Sequence, residues 1–303
     1  MHLGDRSEHR HGIAGLGPPG SVRRAETPGT KFPLDFGRRT SDFRGMSTCV
    51  LAIANQKGGV GKTTTSVNLS ACLAAMGKRV LLVDLDAQAN ATSGVGLEKT
   101  EGGSVYRPLM GEGTLEERVK ETAFAGLSVI PSEFDLCGAE VELARTDDYL
   151  NRFRVALAPL RDSGRFDVIV IDCAPALGIL TLNAFAAADR LVVPLQCEYY
   201  ALEGVAMITR ILNQVRETGL NPGLELLGVL MTMFDGRTKL AQNVVAEVRQ
   251  HFGDLVFDTV IPRTTRLAEA PSFGKPITAY DPYSAGAAAY EVLAEEVAKR
   301  LGI

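Results

Sequence analysis

Residues 57–64 read Lys57-Gly58-Gly59-Val60-Gly61-Lys62-Thr63-Thr64. Gly58, Gly59 and Gly61 let a backbone turn tightly and aim its N–H groups at anionic oxygens. In such a loop Lys62 would reach the outer phosphates of a nucleotide, and the Thr63 hydroxyl would ligate Mg²⁺. A helix starting at this point adds the positive end of its dipole. A lone Gly-Lys-Thr would equally describe a glycine-rich turn with a capping threonine. Here strand, glycines, lysine, hydroxyl and helix follow in the order phosphate binding needs, so Lys57 to Thr64 is assigned as the nucleotide loop. One position departs from the common pattern G-x-x-x-x-G-K-[ST]: Gln56 stands where glycine is usual, and Lys57 follows it. The loop turns between Lys57 and Lys62, so the two amines cannot easily serve the same phosphates.

Three carboxylates belong with this loop. Asp172 follows four β-branched residues, Val168 to Ile171, which puts it at a strand end beside the loop. It can hold Mg²⁺ there, usually through a water. Asp84 and Asp86 close another apolar run. Two residues apart on an extended segment, they face the same way and both could approach a nucleotide. For Asp84, a structural turn or cap carboxylate is an equally good reading.

The elements that must position these residues follow from periodicity. Apolar runs at 50–54, 80–83, 127–130, 168–171, 191–194, 226–231 and 255–261 read as strands. Helical patterns occupy 62–76, 201–218, 240–252 and 285–301. Strands apolar on both faces, alternating with helices, predict a doubly wound, mostly parallel α/β sheet with helices on both faces. Ligands of such sheets sit at the carboxyl ends of the strands.

Composition sets the outer bounds. With 46% apolar and 22% charged residues, the 303-residue chain is an ordinary globular one. No apolar run approaches the length of a membrane span. The five cysteines are odd in number, widely spaced and without a C-x-x-C pair, which predicts buried thiols in a reducing, cytoplasmic setting. Residues 1–45 differ from the rest: eight Gly, four Pro, and eight basic against five acidic residues, with no apolar period. They read as a disordered basic extension ahead of a domain at 46–303. A basic tail could touch nucleic acid, and Met46 could equally be the natural start. Residues 46–303 carry 24 basic and 31 acidic side chains, so charge alone does not point to nucleic acid.

The loop with Lys57 in place resembles the deviant Walker A class of P-loop NTPases. Leu82-Val83-Asp84-Leu85-Asp86-Ala87-Gln88 is similar to the second motif of that class, and Ile171-Asp172-Cys173-Ala174-Pro175 to its Walker B segment. Gln196-Cys197-Glu198-Tyr199-Tyr200-Ala201-Leu202-Glu203-Gly204 and Val260-Ile261-Pro262-Arg263 narrow the match to the ParA/Soj partitioning ATPases, relatives of MinD and of the nitrogenase iron protein. The likeness runs from about residue 48 to the end. Ala87 and Ala174 stand where the family usually has proline. The resemblance implies ATP and Mg²⁺ as ligands, with Asp86 positioning the attacking water near the metal and Asp84 supporting the metal region. It implies Lys57 crossing to the partner's nucleotide in an ATP-bound homodimer, and Pro262 and Arg263 near adenine and ribose. It further implies nonspecific double-stranded DNA, bound through Arg237 and Arg266, and release from the nucleoid by hydrolysis that a ParB-like centromere-binding protein stimulates.

Local composition is mute on DNA: residues 235–275 hold six basic and five acidic side chains. Three rivals have their own requirements. A MinD-like membrane-associated ATPase wants a basic amphipathic helix at the carboxyl end. Here Glu291, Glu295 and Glu296 oppose Lys299 and Arg300, and helix packing is the better account. An iron–sulfur protein needs paired cysteines at a dimer axis, and neither Cys173 nor Cys197 lies in that context. A non-hydrolysing nucleotide-gated scaffold is disfavoured by Asp86 and Lys57.

Overall fold

The β-branched runs assemble into one sheet in the computed structural model, which describes residues 48–198 and 201–303. The extension at 1–45 and the motif residues Tyr199 and Tyr200 lie outside the described residues. The strands are β1 (Cys49–Ile53), β2 (Val80–Leu85), β3 (Lys120–Glu121), β4 (Leu127–Ile130), β5 (Val168–Cys173), β6 (Arg190–Gln196), β7 (Glu225–Phe234) and β8 (Val256–Pro262). They lie in the order β3-β4-β2-β5-β1-β6-β7-β8, and every pairing is parallel except β3 with β4. The two-residue β3 had no period to betray it: both its residues are exposed and polar.

Helices cover both faces. They are α1 (Lys62–Ala75), α2 (Asn90–Gly94), α3 (Tyr106–Met110), α4 (Leu136–Leu143), α5 (Arg152–Asp162), α6 (Ile179–Ala187), α7 (Ala201–Glu217), α8 (Lys239–Phe252), α9 (Thr265–Glu269), α10 (Ile277–Tyr280) and α11 (Ala285–Leu301). Side chains alternate across a strand. Leu51 and Ile53 of β1, Leu82 of β2 and Val170 of β5 therefore share one core layer with Leu69 and Leu73 of α1. The same alternation puts Asp84 and Asp172 on the α1 side of the sheet. Burying each such aliphatic side chain contributes about 1.5–3 kcal/mol.

The last helix joins that layer. Tyr290, Leu293, Ala294, Val297 and Leu301 of α11 are buried, while Glu291 and Glu295 face outward. Ser284 caps its amino end by accepting from the Ala287 N–H at 3.2 Å. Its apolar face is thus consumed by the core. Four of the cysteines are buried as expected, but Cys137 is exposed: it lies on a helix, α4, that buries only Leu136, Ala139 and Leu143.

Candidate nucleotide site

Strand β1 delivers the chain to the centre of the sheet, between β5 and β6, and the phosphate loop leaves from its carboxyl end. Gly59 (φ 73°) and Gly61 (φ 90°) adopt the left-handed conformation that side chains resist. Gly61 opens α1 without any side-chain cap, so the N–H groups of the first turn are left for a ligand or water. Distant residues pin the loop. Asn55 accepts from the Lys57 N–H at 3.0 Å and donates to the Pro194 carbonyl at 2.7 Å. Thr232 of β7 donates to the Val60 carbonyl at 2.8 Å. Behind the loop, the hydroxyls of Thr65 and Tyr290 meet at 3.2 Å, fixing α1 to α11.

Lys62 is buried at the mouth of this cradle, and its amine donates to the Lys57 carbonyl at 3.1 Å. Burial pulls its pKa down while the Asp172 charge opposes that shift. An ammonium curled over a ring of glycines, with one protein acceptor, is arranged to receive an anion.

Asp172 is the penultimate residue of β5 and is fully buried. Its Oδ1 accepts from Ser66 Oγ at 2.8 Å, and the Thr63 side chain lies close enough to favour the charged carboxylate. Its Oδ2 is buried with no partner. Burial, reinforced by the neighbouring Asp84 charge, pushes its pKa upward. A buried carboxylate oxygen without a donor, beside a threonine hydroxyl, suits a hard divalent cation that takes oxygen ligands. The donor set therefore fits Mg²⁺.

Asp84 and Asp86 part company. Asp84 is paired with Asp172 across β2 and β5, but both its oxygens are engaged. Its Oδ2 accepts from the Thr92 N–H at 2.8 Å and the Thr92 hydroxyl at 2.7 Å, and its Oδ1 from the Asp86 N–H at 3.2 Å. Asp84 thus anchors α2, which corrects the expectation that both carboxylates turn toward a ligand; the cap reading describes it. Asp86, one residue past β2, is half-buried and closes a turn by accepting from the Gln88 N–H at 2.9 Å.

Lys57 points away from Lys62. Its amine lies 2.9 Å from Glu198 Oε2, and both side chains are about half exposed, at 47% and 48%. Beside Gly61 and Thr64, a cleft of about 540 Å³ opens between β7, β8 and α9, its wall including Thr232, Asp235, Arg237, Pro262, Arg263 and Tyr290. Arg237 is thus a rim residue of the cleft, bridged to Asp235 at 2.7 Å with its side chain 90% exposed. That guanidinium holds the Asp235 carboxyl down at about 2. Arg266, on α9, bridges Glu269 at 3.1 Å and Asp281 at 3.3 Å. Pro262, Arg263 and Arg237 are brought together at the cleft, while Arg266 stands beyond its wall.

Ser66 and Thr232 went unnoticed in the sequence. Ser66 lies one helical turn beyond Lys62 and so on the same face, a spacing that could have been read. Thr232 gave no signal, since it reaches the loop across 172 residues of chain.

Comparison with known proteins places this geometry. Residues 48–226 match a family model described as an AAA domain. The chromosome-partitioning ATPase Soj of Thermus thermophilus is 56% identical over 251 residues, 83% of this chain and 96% of that protein. The chromosome partitioning protein ParA of Caulobacter vibrioides is 50% identical over 252 residues, 83% of this chain and 94% of its own. A solved structure of cobyrinic acid a,c-diamide synthase from Mycobacterium smegmatis, with bound ADP and magnesium, superposes with a TM-score of 0.70 at 38% identity, covering 82% of this chain and 93% of that one. Half or more of the residues are shared with partitioning ATPases along nearly their whole length, and the phosphate loop, its second lysine and the strand-end aspartates stand in the order those motifs require. The chain belongs to the ParA/Soj family of chromosome-partitioning ATPases.

Proposed function

We propose that the protein is a cytoplasmic, nucleoid-associated ATPase whose ATP-bound homodimer holds double-stranded DNA without sequence preference and releases it after hydrolysis. The observation that carries the nucleotide chemistry is the unpartnered Asp172 Oδ2, buried beside the Thr63 hydroxyl and the buried amine of Lys62. In this reading Lys57 to Thr64 wrap the phosphates, and Lys62 neutralises the outer charge. Thr63 and Asp172 hold Mg²⁺, with Asp86 near it. The bound cation would supply charge neutralisation between the phosphates. Pro262 and Arg263 face the base and sugar in the adjoining cleft.

Asp86 orients a water toward the terminal phosphorus. As the water's oxygen bonds to that phosphorus, the bond to the bridging oxygen breaks, leaving ADP and phosphate. Lys57 acts on the partner subunit's nucleotide, stabilising charge that grows in the transition state. Its outward course from the loop, away from Lys62, supports that role. Arg237 and Arg266 contribute to a phosphate-binding surface that dimerisation doubles. A ParB-like protein speeds turnover. The burial of the α11 apolar face favours DNA over a membrane as the surface addressed, and among the described residues no helix is long and apolar enough to cross a bilayer.

The test is the ATPase rate alone, with nonspecific DNA, and with DNA plus a ParB-type protein. Stimulation by the pair beyond either alone is expected. A rate indifferent to both would overturn the partitioning cycle, though not the nucleotide site.

A further inference from the structure

Glu198 is, among the described residues, the side chain that holds the amine of Lys57. It lies two residues beyond the end of β6, where backbone bonds fix it: the Cys197 N–H donates to the Thr232 carbonyl at 3.1 Å, and the Glu198 N–H to the Gln196 carbonyl at 2.7 Å. Its carboxylate is steadied too. Oε1 accepts from Gln196 Nε2 at 2.5 Å, while Oε2 accepts from the Lys57 amine at 2.9 Å. The opposite end of Lys57 is equally defined, because its N–H donates to Asn55 and its carbonyl receives Lys62. The loop's two amines are therefore held apart, one turned into the cradle and the other drawn onto the end of the neighbouring strand.

We propose that Glu198 is a positioning residue for Lys57: within a single subunit it holds the Lys57 amine in cis, and the ATP-bound dimer forms from subunits in which this pair has opened. The proposal rests on the reading that Lys57 acts across a dimer. Glu198 is fixed to the end of its own β6, so a Lys57 side chain that swings across to the partner's nucleotide moves away from it and opens the pair. The half-exposed pair is weak and screened by salt, so it sets a threshold rather than a lock. Two subunits must each open one pair, so its contribution to the dimerisation constant enters as a square. An exposed ion pair of ordinary strength then gives about threefold per subunit and about tenfold for the dimer.

The experiment compares wild type with Glu198→Gln, a nearly isosteric change at a half-exposed site. Without nucleotide, brief acetic anhydride labelling followed by peptide mass spectrometry should show Lys57 reacting about threefold faster in the variant. With a non-hydrolysable ATP analogue, sedimentation should show about tenfold tighter dimerisation, and raising salt should close that gap. Analogue affinity at concentrations too low for dimers should be the same in both. Tighter binding by the single variant subunit would mean that Glu198 merely repels the nucleotide, and would overturn the proposal. So would equal Lys57 labelling or equal dimerisation in a wild type that does dimerise, with the dimer reading left standing. If neither protein dimerises with the analogue, the dimer reading falls and takes this proposal with it.

Discussion

Asp84 and Asp172 stand side by side at the ends of β2 and β5, yet only Asp172 keeps an oxygen without a partner. Asp84 gives both of its oxygens to protein donors, chiefly Thr92. The two carboxylates should therefore fail differently. Asp84→Ala leaves the Thr92 N–H and hydroxyl without their acceptor, at a cost of about 1–3 kcal/mol. Asp172→Asn removes a buried carboxyl and, above about pH 8 where that group is charged, should raise the melting temperature of nucleotide-free protein, while weakening Mg²⁺-dependent ATP binding. Thermal melts and nucleotide titrations on both variants decide the matter. A stabilised Asp84→Ala protein would contradict the anchoring role.

The same pair sets a pH dependence. Burial, with the Asp86 charge adding to it, pushes Asp84 up to about 6, and burial, with the Asp84 charge adding to it, pushes Asp172 up to about 8. A carboxyl whose folded pKa lies above its unfolded value, near 4, binds its proton more tightly when folded. Its contribution is complete below pH 4 and is lost as pH rises through the folded values. Nucleotide-free protein should accordingly lose melting temperature from these groups between about pH 4 and pH 8. Asp172→Asn should flatten that slope, and Mg²⁺ with nucleotide should offset it. A slope unchanged by the substitution would mean that the pair does not titrate in this range.

The loop lysines should separate by binding and assembly. Lys62→Ala removes the buried cation of the cradle and should weaken ATP binding by roughly 10- to 150-fold, the range for a charge-assisted hydrogen bond. Lys57→Ala should leave the affinity of the single subunit intact and weaken the ATP-dependent dimer. Fluorescent-nucleotide titration at low protein concentration, followed by sedimentation at high concentration, distinguishes them. Normal dimerisation and turnover by Lys57→Ala would refute action in trans.

DNA retention should appear only with ATP, ignore sequence, and fall steeply with salt as counterion release loses its value. Arg237→Gln and Arg266→Gln should each lower the salt slope by about one per subunit. Glutamine is the better probe at Arg266, because a third carboxylate beside Glu269 and Asp281 would disturb α9 by itself. Biolayer interferometry in ATP, in ADP and without nucleotide, at two salt concentrations, reads both effects. An unchanged slope would remove that arginine from the DNA surface.

Wherever a local pattern dictates local structure, the sequence was legible. The β-branched runs of β1, β2, β4, β5, β6, β7 and β8 announce buried strands, and the glycines before Lys62 announce a turn into a helix. Helix α5 was hidden, because Pro159 and three arginines obscure the stripe of Phe153, Leu157 and Leu160 that it buries. Within the site, the hidden facts are long-range ones. Nothing near Asp84 in the chain shows that Thr92 will satisfy it rather than a ligand. Nothing near Lys57 shows that an acid 141 residues later will meet its amine. Side-chain direction at a strand end depends on neighbours that only the completed sheet supplies.

The contact between Thr65 and Tyr290 joins residues 225 apart in the chain, since α11 forms the wall behind α1. During synthesis, therefore, the phosphate loop emerges from the ribosome long before its support does. A nascent chain that has not reached residue 285 lacks the tyrosine hydroxyl and the apolar face against which α1 seats. A fragment that stops short of α11 thus carries the whole phosphate loop without the wall that seats it.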